Sequence, residues 1–226
     1  NLCKDKFCNN CKKVKQASRM AQFIPEIKRF KNNELYHLVL TTPNVTAQEL
    51  EEQIKKQLKM FPRLIEYLKC KKKIKGIDFS QHGYIGAIRS LEVTFKNNSY
   101  HPHLHVLIIF KHLKQSEKKY ANVYSIDHLG YKEKRLFTDF EILIQKIWRL
   151  LMTGKKVTKK NIDELEVGYS CILDEFEENH YYELFKYMTK NNSESVMAYD
   201  NVKTLYESLY RVRQIQGYGC LYNLKE

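Results

Sequence analysis

The sequence predicts an α+β layer fold, a sheet carrying helices on one or both faces. Segments of helical period alternate with segments of strand period, and two of the strand segments are adjacent with only a polar turn between them. A length of 226 residues suits one continuous domain with its own core. Hydrophobic residues at 43% and aromatics at 12% are what a folded chain carries and more than a disordered polyelectrolyte holds.

Taken in order, residues 14–30 read as a basic helix, and 35–42 as a strand stopped by Pro43. Residues 48–68 repeat apolar side chains at Leu50, Ile54, Leu58, Phe61 and Ile65, a helical spacing. Strands are expected over 83–95 and 103–110, joined as an antiparallel hairpin through the polar turn 96–100. Phe140, Leu143, Ile147, Leu150 and Leu151 mark a helix over 137–152. A further strand is read over 167–173 and a further helix over 179–190. The lysine-rich stretches around 71–75, 111–119 and 155–160 read as surface loops, and no internal repeat or linker divides the chain.

Thirty-nine Lys and Arg against 26 Asp and Glu leave a formal net charge of +13. That excess calls for a polyanionic partner, nucleic acid or an acidic membrane surface. No apolar run long enough to cross a membrane occurs, and Asn1 to Lys6 do not resemble a signal peptide. A cytoplasmic protein without membrane contact is therefore expected.

Six cysteines are present, and three of them, Cys3, Cys8 and Cys11, cluster as C-x4-C-x2-C. In a basic intracellular chain this spacing suits thiolate coordination of structural Zn2+ better than a disulfide scaffold. A fourth ligand would come from Cys171, Cys220 or His37. The spacing alone is equally compatible with three free thiols.

The segment from Tyr100 to Phe110 holds the most chemistry. His103 and His105 are two apart, so on a strand they project from one face and can share a metal ion. Glu92 interrupts the otherwise apolar run 88–95, where a carboxylate is costly without a positive partner. Two imidazoles and one carboxylate, with positions left over, suit a divalent cation such as Mg2+ or Mn2+ that also accepts a phosphate oxygen. A second segment places Glu183, Tyr187 and Lys190 at i, i+4 and i+7 on a helix. A nearby cation or metal makes a phenolate more accessible as a nucleophile, and Glu183 stands one turn away as a general base.

These two segments, in this order, resemble the HUH endonuclease superfamily, and more closely the rolling-circle replication initiators of small plasmids from Gram-positive bacteria. The resemblance spans nearly the whole chain. Its elements are the cysteine-rich leader, the strand ending Leu40-Thr41-Thr42-Pro43-Asn44, Ser90-Leu91-Glu92-Val93-Thr94, His103-Leu104-His105 and Glu183-x2-Lys186-Tyr187-x2-Lys190. It implies a five-stranded antiparallel sheet of ferredoxin-like type with flanking helices, residues 1–226 forming one endonuclease domain with a cysteine-rich leader at 1–13. It also implies a divalent ion on His103 and His105, a tyrosine nucleophile at Tyr187, water activation by Glu183, and DNA contacts from Thr42, Asn44 and Lys186. The implied reaction is a transesterification that leaves a 5'-phosphotyrosine link and a free 3'-hydroxyl to prime replication.

The leader departs from the family in carrying Asn9 or Asn10 where proline is usual, and Tyr181 and Tyr182 adjoin the motif. Tyr182 is about 140° round a helix from Tyr187, off the stripe of Glu183 and Lys190. Gly154-Lys155-Lys156 lacks the rest of a phosphate-binding loop, so a host helicase is expected beside the host polymerase. The expected DNA is a single-stranded or hairpin origin with flanking duplex, and a dimer is compatible with the sequence. Alternatives are a transposase or mobilisation relaxase of the same chemistry, or a non-catalytic, zinc-dependent nucleic-acid-binding regulator.

Overall fold

The computed structural model describes residues 8–113, 116–120, 125–126, 131–132, 136–185, 198–222 and 224. In chain order these form α1 (Asn9–Ile27), β1 (Leu35–Leu40), α2 (Leu50–Leu68), β2 (Tyr84–Lys96) and β3 (Ser99–Phe110). Four two-residue strands follow: β4 (Lys119–Tyr120), β5 (Ser125–Ile126), β6 (Tyr131–Lys132) and β7 (Leu136–Phe137). The remainder is α3 (Asp139–Met152), α4 (Lys159–Glu164), β8 (Cys171–Glu175), α5 (Glu178–Phe185), α6 (Tyr199–Ser208) and β9 (Ile215–Gly219).

The main sheet has five strands in the order β8-β1-β3-β2-β9, every neighbouring pair antiparallel. The units β1-α2-β2 and β3-α3-β8 each pass over one intervening strand, the split β-α-β arrangement of a ferredoxin-like sheet, and β9 extends it beside β2. The α+β class and the five-stranded antiparallel sheet are thus as expected.

Side-chain alternation divides the sheet into two apolar faces. Leu38, Leu40, Leu91, Leu104, Val106 and Ile108 pack with Ile54, Phe61 and Leu64 of α2, Ile147 and Trp148 of α3, and Leu205 of α6. On the opposite face Leu35, Ile88, Leu107, Ile109 and Ile215 meet Phe23 and Ile27 of α1 and Leu184 and Phe185 of α5. Along β3 this second core gives way to His105, His103 and His101, two residues apart on the same face.

The hairpin is tighter than the sequence suggested. Only Asn97 and Asn98 join β2 to β3, both with positive φ (51° and 55°), matching the twist of the flanking strands at a position asparagine tolerates. Tyr100 therefore belongs to β3 rather than to the turn, and His101 and Pro102 extend the strand, so His105 is paired on both edges and His103 with β2. Strand β8 is displaced towards the C-terminus of the expected 167–173. The Tyr169 N–H is bonded to the Gln145 carbonyl of α3 (3.1 Å), and Gly168 approaches that backbone so closely that a Cβ would not fit. Helices α4 and α6 and strand β9 were not anticipated: α4 is short, and β9 is interrupted by Gly217 and Gly219.

Helix α3 is fixed by its N-terminal capping box, in which Thr138 and Glu141 satisfy each other's backbone N–H groups. The second oxygen of Glu141 accepts from the Leu173 N–H (2.8 Å), Gln145 donates to the Cys171 carbonyl (3.1 Å), and the Trp148 indole donates to the Thr41 carbonyl (2.9 Å). One helix thus ties β8 to the end of β1. At the other edge Arg89, 2% exposed, donates to the carbonyls of Arg213 (3.1 Å) and Gln214 (3.3 Å) where the chain enters β9.

Tyr84 is a defect in this packing. Its hydroxyl is buried with no hydrogen-bond partner among the described residues, and burial raises its pKa well above that of a free tyrosine. Tyr84→Phe is expected to stabilise the protein by about 1 kcal/mol, since the stranded hydroxyl is removed and the ring kept. Above about pH 10 the unfolded chain loses a proton that folded Tyr84 keeps, so stability falls as pH rises, and Tyr84→Phe should flatten that fall in urea titrations.

Candidate metal centre

Strand periodicity brings the three predicted ligands together. Glu92 on β2 is directly opposite His103 on β3, and His105 is next on the same face. A single carboxylate oxygen, Glu92 Oε2, lies 3.1 Å from His103 Nε2 and 2.9 Å from His105 Nε2. All three side chains are buried, at 5%, 9% and 8% exposure, so the carboxylate is largely withdrawn from water. Burial alone would raise the Glu92 pKa, but hydrogen bonds from the two imidazoles and their electrostatic attraction outweigh it and hold the carboxyl well below the usual carboxylate range.

The donor set fits a divalent cation. His103 faces the His101 carbonyl with Nδ1 (3.1 Å) and Glu92 with Nε2, both acceptors, yet a neutral imidazole has one N–H. The contacts are satisfied only by an imidazolium, or by a neutral ring whose Nε2 lone pair meets a cation shared with the carboxylate. The ligand atoms of Glu92, His103 and His105 all lie within 4.8 Å of one another, and Glu92 Oε1 is buried with no hydrogen-bond partner among the described residues. Among the described residues no other group of three such side chains is gathered in this way. Two nitrogens and a carboxylate suit Mg2+, Mn2+ or a related ion with coordination positions left for a substrate oxygen.

Helix α5 covers the adjoining stretch of the same face, with Leu184 and Phe185 fully buried on the sheet and Tyr181 edge-on to Phe176 (4.9 Å). Glu183 lies on this helix. Lys186, Tyr187 and Lys190 fall outside the described residues, and Tyr187 is two positions beyond the buried Phe185. The family model for the replication proteins matches residues 1–226. The chain belongs to this family.

Similar curated proteins point the same way. "Protein rep" of Staphylococcus aureus is 36% identical over 125 residues, covering 53% of this chain and 50% of its own length. "Protein rep" of Streptococcus pneumoniae serotype 2 is 27% identical over 227 residues, covering 98% of this chain and 61% of its own. "Protein rep" of Lactiplantibacillus plantarum is 28% identical over 228 residues, covering 97% and 63%. The replication protein described here therefore spans about half to two thirds of the length of these relatives. No solved structure matches it.

Of the DNA-contact candidates in this replication protein, Thr42 is turned into the protein. It is 3% exposed, and its hydroxyl accepts from Gln57 Nε2 (2.8 Å), which also donates to the Pro102 carbonyl (2.8 Å). Through Gln57, Thr42 links the end of β1 to α2 and to the Pro102 carbonyl of β3. Asn44 is exposed; its Oδ1 is 2.8 Å from His101 Nδ1, and its Nδ2 donates to Ser99 Oγ (3.0 Å).

The cysteines separate. Cys8 is half-buried beside the start of α1 and Cys11 is fully buried within it, while Cys3 lies outside the described residues. Cys171 is buried in the core on the sheet face away from α1, its thiol against the Glu141 carbonyl (3.5 Å), so it is no partner for the leader. His37 is turned onto His105. Cys220 is exposed after β9 and within electrostatic reach of Glu26 on α1, which adds to burial in raising the thiol pKa.

Two neighbours of the centre escaped the sequence reading. Gln57 falls on the buried stripe of α2, three residues after Ile54 and four before Phe61, so the helical period does turn it inwards; its polarity set it apart from the apolar repeat. His37 was considered only as a zinc ligand; its place beside His105 follows from the β1–β3 register.

Proposed function

We propose that this chain is a plasmid replication initiator that nicks one strand of DNA at an origin by divalent-metal-dependent transesterification. The observation carrying this reading is the buried Glu92, His103 and His105 cluster, one of whose carboxylate oxygens has no partner among the described residues, on a sheet face covered by α5, which precedes Tyr187 in the chain. The cation held by these residues would supply Lewis acidity at the scissile phosphate and neutralise its charge. The Tyr187 oxygen attacks phosphorus: the tyrosyl O–P bond forms, the 3' O–P bond breaks, and the 3'-oxygen leaves and takes up a proton. Lys190, three residues on, favours the phenolate, and Glu183 deprotonates the water that later hydrolyses the link. Host polymerase extends the freed 3'-hydroxyl, and a host helicase opens the duplex.

The net charge of +13 supports a phosphate-dominated, salt-sensitive grip on DNA to which Asn44 and Lys186 contribute. The test is conversion of supercoiled plasmid carrying a matching origin to the open-circular form, with Mn2+ and with EDTA. Nicking only with the metal is expected; tight DNA binding without nicking in either condition would favour a non-catalytic regulator.

The leader is proposed to hold a structural Zn2+ through Cys3, Cys8 and Cys11. Protein purified under reducing conditions without chelator should then contain about one zinc, and Cys8→Ser should lose the metal with a lower melting temperature. Zinc-free wild-type protein would contradict this.

A further inference from the structure

We infer that His37 is a positioning residue that fixes the ring of His105 for the metal and ties it to the helix leading to the nucleophile. The inference rests on the metal reading of Glu92, His103 and His105 given above. His37 comes from β1 and is buried at 6% exposure. Its Nε2 lies 3.1 Å from His105 Nδ1, the ring nitrogen turned away from Glu92, and the two rings are stacked with 6° between their planes.

A histidine that offers Nε2 to a cation carries its proton on Nδ1, and a buried N–H requires an acceptor. For His103 that acceptor is the His101 carbonyl. For His105 it is His37 Nε2, which in turn selects the Nδ1–H tautomer of His37. The two ligands are thus held by different devices: His103 by its own strand, His105 by a side chain from the neighbouring strand.

The other side of His37 faces α5. Its ring centroid is 4.4 Å from that of His180 and 6.4 Å from that of Phe176, which meets it edge-on. His180 is itself fixed at the start of α5, where its Nδ1 accepts from the Glu177 N–H (2.9 Å). His37 thus bridges a candidate metal ligand on β3 and the first turn of the helix, seven residues before Tyr187.

The test uses two variants and Mn2+ alone, without DNA. His37→Phe keeps an aromatic ring against His180 and removes the acceptor; His37→Gln places an amide oxygen near the position of Nε2. Mn2+ affinity, read by electron paramagnetic resonance of the free ion, is expected to fall about tenfold to a hundredfold in His37→Phe and to stay within about threefold of wild type in His37→Gln. Nitrogen-15 shifts of His105 in metal-free protein should show the Nδ1–H tautomer in wild type and His37→Gln, with a mixture in His37→Phe. Equal Mn2+ affinity in wild type and His37→Phe, with both folded by circular dichroism, would overturn the assignment. A wild type that binds Mn2+ but nicks no DNA would defeat the proposed nicking function and leave the role of His37 intact.

Discussion

Replacing His103 or His105 by alanine should reduce metal-dependent nicking by about a thousandfold or more, equivalent to about 4 kcal/mol of transition-state stabilisation. Each substitution removes one of the two imidazoles that share Glu92 Oε2. DNA binding should fall only modestly, because phosphate contacts elsewhere supply most of the affinity. The single variants keep one partner for Glu92 and should fold; the double variant strands a buried carboxylate, 7% exposed at the side chain. It should therefore lose about 3 kcal/mol of stability, and adding Glu92→Gln should recover much of the loss by removing the charge. Plasmid nicking and urea melts of the four proteins separate the two effects. Full nicking by the double variant would remove the metal centre from the mechanism.

Tyr187→Phe should abolish the covalent protein–DNA adduct while leaving folding and DNA binding unchanged, since only the hydroxyl is lost. Glu183→Ala should act in the opposite sense. With the nucleophile intact, cleavage and strand joining continue, but hydrolytic release slows by about a hundredfold and the tyrosyl–DNA adduct accumulates. Denaturing gels with a labelled single-stranded origin oligonucleotide distinguish these outcomes. Release at the wild-type rate in Glu183→Ala would restrict that residue to the helix surface.

The metal cluster was legible because strand geometry is local. An i, i+2 histidine pair faces one way whatever the fold, and a lone carboxylate in the apolar run 88–95 needs a partner within reach. The hairpin then sets Glu92 opposite His103. What surrounds the cluster depends on pairings distant in sequence. His37 meets His105 only because β1 lies beside β3, and Gln57 reaches the Pro102 carbonyl only because α2 crosses the opposite face. Thr42 belongs to a strand-end motif for which the family resemblance implies DNA contact; its burial and its bond to Gln57 of α2 depend on packing that the local sequence does not show, while Asn44 of the same motif stays exposed. Helix α6 and strand β9 were missed for a related reason. Their few apolar residues make sense only against the sheet edge that Arg89 helps to close.

The proposed nicking reaction uses one tyrosine, Tyr187, to attack the scissile phosphate. It is tested most directly by mass mapping of the peptide linked to DNA after incubation with Mn2+ and a single-stranded origin oligonucleotide. A single phosphodiester link on Tyr187, absent in the His103→Ala His105→Ala protein, is the expected result. A link on Tyr181 or Tyr182, or cleavage that leaves no protein-linked DNA, would contradict it.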